Sequence, residues 1–342
     1  MNRPPILDPQ ATAPHDNAQR TIRVAMIGAG NMASRVHYPS LASLPGVEFA
    51  AICDLDAGRM QQVADQYRIA RRFFNYRSMI EEVAPDAVYA IGPPHLMYDV
   101  WVWCLRQGLN LYIEKPLGTS MHQADMLAHL AAANGCVTQV GFQRRASPLA
   151  NLLRDACLER GPIYQATVRF HKNAPTPFMG AVDHILDDTV HAIDTLRWLC
   201  GGPVRDVFPA VRRIGVPDVN VVSALVTFEN GAIGHLANSW MSGRRTFAVE
   251  MHAPGICAEA DLETEGRLYA DGDVTGTVYR AADVAGGDAF NVLGGFRAKS
   301  EEFIDCIRSG AEPSSSFADA LRTMGIAERL HAADLLERRH IG

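Results

Sequence analysis

Lys115 stands between Glu114 and Pro116, and Asp187 lies four positions before His191. Lysine, carboxylate and imidazole are side chains that serve as general acids and bases. An amine serves as the base when burial or a neighbouring cation lowers its pKa. Imidazole titrates near neutrality as it stands. The residue types leave both Lys115 and His191 open as the proton-transfer group, and Asp187 would orient either one or bind a hydroxyl. The spacing places Asp187, His191 and Asp194 on one face of a helix. His184, Asp187 and His191 also share a face, an offset that suits a metal, but no fourth ligand accompanies them and no metal is expected.

A dinucleotide-binding turn is written near the start of the chain. Gly28-Ala29-Gly30-Asn31-Met32-Ala33 follows the apolar run Ile22–Ile27 and opens a helical segment reaching about Leu44. The first glycine allows a tight turn, the second lets a pyrophosphate approach the backbone, and Ala33 lets helix pack on strand. The free N–H groups of the helix start face the phosphates. Asp54 ends the second apolar run, Val47–Cys53. Its carboxylate accepts from ribose hydroxyls and repels a 2′-phosphate, which points to NAD. Arg59 nearby leaves NADP open.

These residues need elements to hold them. Short, nearly continuous apolar runs at Ile22–Ile27, Val47–Cys53, Ala87–Ile91, Leu111–Glu114 and Val137–Gly141 alternate with helical stretches at 57–67, 78–83, 97–107 and 120–134. That rhythm predicts a doubly wound parallel sheet covered on both faces. After a helix over Pro148–Arg160 the period changes to two. Strands are predicted at Tyr164–Phe170, Val221–Phe228, Ile233–Asn238, Thr246–His252 and Thr277–Arg280, with a helix over Ile185–Cys200 among them and two closing helices, Phe296–Ser309 and Phe317–Arg338. The expected architecture is an α/β Rossmann domain followed by an α+β domain on an open, mostly antiparallel sheet.

Taken in order, the pieces resemble the Gfo/Idh/MocA family of oxidoreductases. The matching segments are the glycine loop, Asp54, Ile91-Gly92-Pro93-Pro94-His95, Glu114-Lys115-Pro116-Leu117, Gly141-Phe142-Gln143-Arg144-Arg145 and Asp187-x-Thr189-x-His191-x-x-Asp194. The resemblance spans about residues 20–335. It implies a dehydrogenase or reductase acting on a hydroxyl-bearing carbon of a sugar, cyclitol or related polyol, with Lys115, Asp187 and His191 meeting near the nicotinamide. It adds Gly92, Pro93, Pro94, His95, Glu114 and Lys115 to the cofactor contacts Gly28, Gly30, Asn31, Met32, Asp54 and Arg59. Candidate substrate contacts are Arg144, Arg145, Tyr98, His184, Lys172 and Trp240, with His171 beside Lys172. The chain departs from the family where substrate would be gripped: Thr189 replaces a usual glycine, Asp183-His184 a usual Gly-Gly, and Tyr98 a frequent histidine. Two other activities fit the same motifs. One is a lyase or glycoside hydrolase that borrows and returns the hydride; the other is a dinucleotide-binding sensor, which retention of Lys115 argues against.

The rest of the sequence sets bounds. The chain has 342 residues, 48% of them hydrophobic, and a formal net charge of −6 with no basic block. Nucleic acid is not an expected partner, and no apolar run reaches the roughly 18 residues that cross a bilayer. Seven scattered cysteines without a CxxC pair read as reduced thiols of a cytoplasmic protein. Residues 1–20, rich in Pro, Ala, Asp and Asn, read as a disordered leader. The expected boundaries are 21–143 for the first domain and 144–342 for the second, with the C-terminal helices free to pack back on the first. An open sheet face would need cover, so a homodimer or homotetramer is expected.

Overall fold

The computed structural model describes residues 20–177 and 180–339. The leader expected over 1–20 therefore lies, except for Arg20, outside the described residues.

The first sheet has six parallel strands in the order β3-β2-β1-β4-β5-β6. They are β1 (Ile22–Ile27), β2 (Val47–Cys53), β3 (Arg72–Phe73), β4 (Ala87–Ala90), β5 (Asn110–Ile113) and β6 (Thr138–Val140). Its middle strands are buried almost without interruption, which is why they carry Ala, Val and Ile rather than an alternating pattern. The two-residue strand β3 has too little apolar length to stand out in the sequence. Around the sheet lie α1 (Tyr38–Ala42), α2 (Ala57–Gln66), α3 (Tyr76–Val83), α4 (Pro94–Arg106) and α5 (Met121–Ala133). The helix after the glycine loop is not regular: Ala33–His37 forms a π-helical turn that runs into α1. Wider turns of this kind cluster at functional positions, because they re-aim side chains within a helix.

A 3₁₀ turn, Gln143–Ala146, links β6 to α6 (Pro148–Arg160). The second sheet has eight strands in the order β14-β13-β12-β11-β7-β10-β9-β8. They are β7 (Gln165–Asn173), β8 (Val204–Arg212), β9 (Val221–Phe228), β10 (Ile233–Ser239), β11 (Met241–Ala253), β12 (Ile256–Asp261), β13 (Glu265–Ala270) and β14 (Thr277–Arg280). Neighbours are antiparallel except β7 and β10, which run parallel with Gln165 opposite Ile233. One face packs on α6 and on α7 (Val190–Cys200); α7 is entered through a second π-helical turn, Ile185–Thr189. The other face is open among the described residues, and it carries Arg169, His171, Arg244, Glu259 and Asp261 around shallow depressions.

Short helices α8 (Ala281–Ala285) and α9 (Phe290–Leu293) lead to α10 (Phe296–Ser309) and α11 (Phe317–Arg339). Helix α10 returns to the first sheet. Phe303 sits edge-on to the stacked rings of Tyr89 and Tyr112, 5.7 Å from each, and is fully buried there. Such aromatic contacts add to the burial of the rings themselves, so the two sheets share one packed body.

Candidate active site

The strand ends of the first sheet form the cleft. Gly28 has φ +105°, and a Cβ added there would lie 2.1 Å from the Ile91 carbonyl oxygen. Only glycine carries the chain past the end of β4 at that distance. Gly30 is the opposite case: a Cβ there would meet nothing within 4 Å. Its backbone borders open space in front of a helix start, the cradle a pyrophosphate needs. Asn31, Met32, Pro93 and His95 are exposed around this opening, with Gly92 and Pro94 half-buried.

Asp54 closes one end. Its carboxylate accepts from the Ala29 amide at 2.7 Å, the Asp56 amide at 2.8 Å and Arg59 Nη2 at 3.1 Å. Burial works against the charge, but these donors outweigh it and hold the carboxyl below the usual range. Asp54 is thus a fixed anion tied directly to the glycine loop.

The strand-end segment after β5 supplies two side chains with different fates. Glu114 turns inward and meets His37 Nε2 at 2.8 Å, both groups being buried. It also fills the space beside Gly141, where a Cβ would come within 2.9 Å of its Oε1. Lys115 turns outward. Its Nζ donates to Asp187 Oδ1 at 2.7 Å and to the Asp187 carbonyl at 2.5 Å, and so joins the first sheet to the second π-helical turn. His191 follows in the first turn of α7, buried and edge-on to Phe142 with ring centroids 6.2 Å apart. Its Nδ1 has no hydrogen-bond partner. Burial, with Lys115, Arg144, Lys172 and Arg245 around it, pushes the imidazole well below its ordinary 6.5, so it is neutral at pH 7. Lys115, Asp187 and His191 are thereby brought together.

The substrate-side candidates divide sharply. Lys172 lies on the inward face of β7, where Nζ donates to both oxygens of Asp188 at 2.6 and 2.7 Å. Trp240 is buried and donates from Nε1 to the same carboxylate at 2.8 Å, while His184 stacks on its ring at 4.4 Å. Arg144 is buried, with its guanidinium 4.5 Å over the Phe247 ring and Nη2 donating to Glu263 at 2.6 Å. Tyr98, in the second turn of α4, lies partly buried against the core.

Arg145 does not belong with them. Its guanidinium is spent on Asp194, on Asp319 at 2.7 Å and on the Ser314 carbonyl at 2.8 Å. Adjacent side chains on a 3₁₀ turn diverge, so Arg144 faces the site and Arg145 the inter-helix core. Asp194, on the same helix as His191, is drawn into that network too. His171 is likewise separated from Lys172, because strand alternation puts it on the open face beside Arg169 and Arg244. Sequence reading missed Asp188, Arg245, Glu263 and His37. Asp188 had a signal, standing between two residues already singled out; the other three are assembled only by tertiary contact.

Comparison with known proteins settles the lineage of this arrangement. Residues 22–142 match the family model of the Gfo/Idh/MocA oxidoreductases with NAD-binding Rossmann fold, and residues 159–254 match that of the family's C-terminal domain. The chain belongs to the Gfo/Idh/MocA oxidoreductase family. It is 25% identical over 324 residues to scyllo-inositol 2-dehydrogenase (NAD(+)) of Bacillus subtilis, covering 88% of this chain and 91% of that one. It is 23% identical over 320 residues to myo-inositol 2-dehydrogenase of Thermotoga maritima, covering 87% and 92%. Among solved structures, a dehydrogenase from Chromobacterium violaceum shares the fold with a TM-score of 0.85 at 21% identity, over 93% of this chain and 97% of that one. A levoglucosan dehydrogenase solved with NADH gives 0.81 at 18% identity, over 92% and 97%. The Gfo/Idh/MocA fold accounts for both sheets, and the open backbone at Gly30 with the anion at Asp54 fits the family's NAD. No helix among the described residues is long and apolar enough to cross a membrane.

Proposed function

We propose that this Gfo/Idh/MocA enzyme oxidises or reduces a hydroxyl-bearing carbon of a sugar, cyclitol or related polyol, with Lys115, Asp187 and His191 as its proton-handling group. The observation that carries this reading is the contact of Lys115 Nζ with Asp187, which joins the strand-end cleft to the helix bearing His191. NAD, when bound, supplies the hydride acceptor or donor. Lys115 then holds a proton at Nζ for the substrate oxygen, or receives one from it. Asp187 uses two of the three donor directions of the ammonium and fixes where the third points. Neutral His191 accepts a hydrogen bond from the same hydroxyl or passes its proton on. The inositol and sugar dehydrogenases among the relatives support this substrate class. Gly28, Gly30, Asn31 and Met32, with Gly92–His95 opposite, would line the cofactor, and Asp54 with Arg59 its ribose end.

The test is a lysine replacement read in two ways. Lys115→Met should lower kcat/KM by about 10²–10⁴-fold, the usual worth of a positioned acid–base group. NADH binding, followed by its fluorescence, should stay within about threefold, because the glycine loop carries it. Absorbance at 340 nm that never changes across a broad sugar and cyclitol panel, with NAD bound, would sink the dehydrogenase reading.

We further place the protein in the cytoplasm, its seven cysteines being unpaired. We assign the open face of the second sheet to self-association as a homodimer or homotetramer.

A further inference from the structure

Around His191, three cationic side chains, two from the second sheet and Arg144 from the 3₁₀ turn, lie over one pair of rings. Phe170 of β7 faces Phe247 of β11, with centroids 5.0 Å apart. Lys172 Nζ lies 5.0 Å over the Phe170 ring, and the Arg245 guanidinium lies 5.4 Å over the same ring. Arg144 caps the Phe247 ring at 4.5 Å. They meet two carboxylates, each of which accepts three hydrogen bonds. Glu263 serves both arginines, with Oε1 at 2.6 Å from Arg144 and 2.9 Å from Arg245 and Oε2 at 3.2 Å from Arg245 Nε. Asp188 receives Lys172 on both oxygens and the Trp240 indole as well. With the Lys115–Asp187 pair included, four cations face three carboxylates through direct contacts.

This lining selects by charge. A neutral polyol presents hydroxyl donors and acceptors alike and needs free acceptors on the wall. Here the carboxylates of Glu263 and Asp188 are already engaged by the cations, and the donors around them are charged. An oxyanion brings acceptors alone, matching the guanidinium fork. Arg245 is the cation a ligand can reach, since its side chain is 45% exposed whereas that of Arg144 is 5%. His191 is lowered first by burial, and Lys115, Arg144, Lys172 and Arg245 push it the same way.

We propose that the substrate is an acidic polyol, whose carboxylate or phosphate ester docks on Arg245 beside Lys172 while the carbon to be oxidised lies between the nicotinamide and Lys115. This rests on the dehydrogenase reading above and narrows its substrate class. In the forward reaction the carbinol carbon loses a hydride to NAD⁺, its oxygen loses a proton to the Lys115–His191 group, and the oxyanion is unchanged.

The test uses neutral and acidic compounds on one carbon skeleton. With the wild-type enzyme and NAD, initial rates are compared for D-glucose, D-glucuronate and D-glucose 6-phosphate, and for D-glucitol against D-gluconate. An acidic member should exceed its neutral partner at least tenfold in kcat/KM, and the better of the two anions identifies carboxylate or phosphate as the group bound. Arg245→Gln should cut that acidic-to-neutral ratio at least tenfold, chiefly through KM for the acid. Neutral compounds turned over as well as acidic ones, or an Arg245→Gln variant with an unaltered ratio, would overturn the charge assignment and leave the dehydrogenase reading intact. If none turns over, calorimetry with D-gluconate and D-glucose 6-phosphate on the NADH-loaded enzyme decides the charge question. Binding weakened at least tenfold in Arg245→Gln supports the site, and no binding of either anion overturns it.

Discussion

At the scale of single residues, Asp54 joins recognition to loop geometry. Its carboxylate both accepts from the Ala29 amide and presents a fixed negative charge where a ribose hydroxyl or a 2′-phosphate would arrive. Replacing it by serine keeps a small acceptor and removes the charge, and it frees Arg59 from its ion pair. Asp54→Ser should lower kcat/KM with NAD about tenfold and raise the NADP-to-NAD ratio about a hundredfold, since like-charge opposition across a contact is worth several kcal/mol. Steady-state kinetics with the two cofactors reads this directly, and a ratio that does not move would take Asp54 out of cofactor discrimination. This part of the site was legible in the sequence: each residue of the loop sits within a few positions of the strand end that places it. The Arg144–Glu263–Arg245 cluster was not, because its members come from a turn, a strand and a loop that only the folded sheet brings together.

At the scale of elements, the buried network around Arg145 fixes where α7, the helix bearing His191, lies. Arg145 on the 3₁₀ turn reaches Asp194 on α7 and Asp319 on α11, and Arg197 and Thr323 extend the same chain of contacts. Removing one member of such a group strands the others as buried charges. Arg145→Ala should therefore cost about 3–5 kcal/mol of folding free energy, measured by urea unfolding. A loss below about 1 kcal/mol would mean that the network holds nothing in place. The sequence marked both arginines as one candidate pair, since spacing alone does not say which side of a 3₁₀ turn each will take. The regular helices fared better. Pro148–Arg160 and Phe296–Ser309 are read at their observed limits because proline or glycine marks their ends. The π-helical turns at Ala33–His37 and Ile185–Thr189 left no mark, since an extra residue in one turn barely alters an apolar pattern.

At the scale of the molecule, the described residues cover the eight-stranded sheet on one side only. Its open face mixes exposed apolar residues, Leu225 and Ile233 among them, with Arg169 and Arg244 near Glu259 and Asp261. A surface carrying apolar groups and both charge signs can pair with itself about a two-fold axis. Sedimentation velocity should show a dimer or tetramer at micromolar concentration, and Ile233→Lys should shift it towards monomer. A wild-type protein that stays monomeric would refute the assignment of this face.

The parallel pairing of β7 with β10 makes closure of the second sheet a long-range event. Within the first sheet, β1 meets β2 after one short crossover, with Ile22 opposite Val47. In the second, Gln165 must wait for Ile233, and all of α7, β8 and β9 lie in the excursion between them. Closing so long a loop is slow, because its entropy is spent before any contact repays it. Asp187 and His191 travel within that excursion. Lys115 comes from the first sheet and Asp187 and His191 from this excursion, so the proposed proton-handling group is complete only when the two sheets have met.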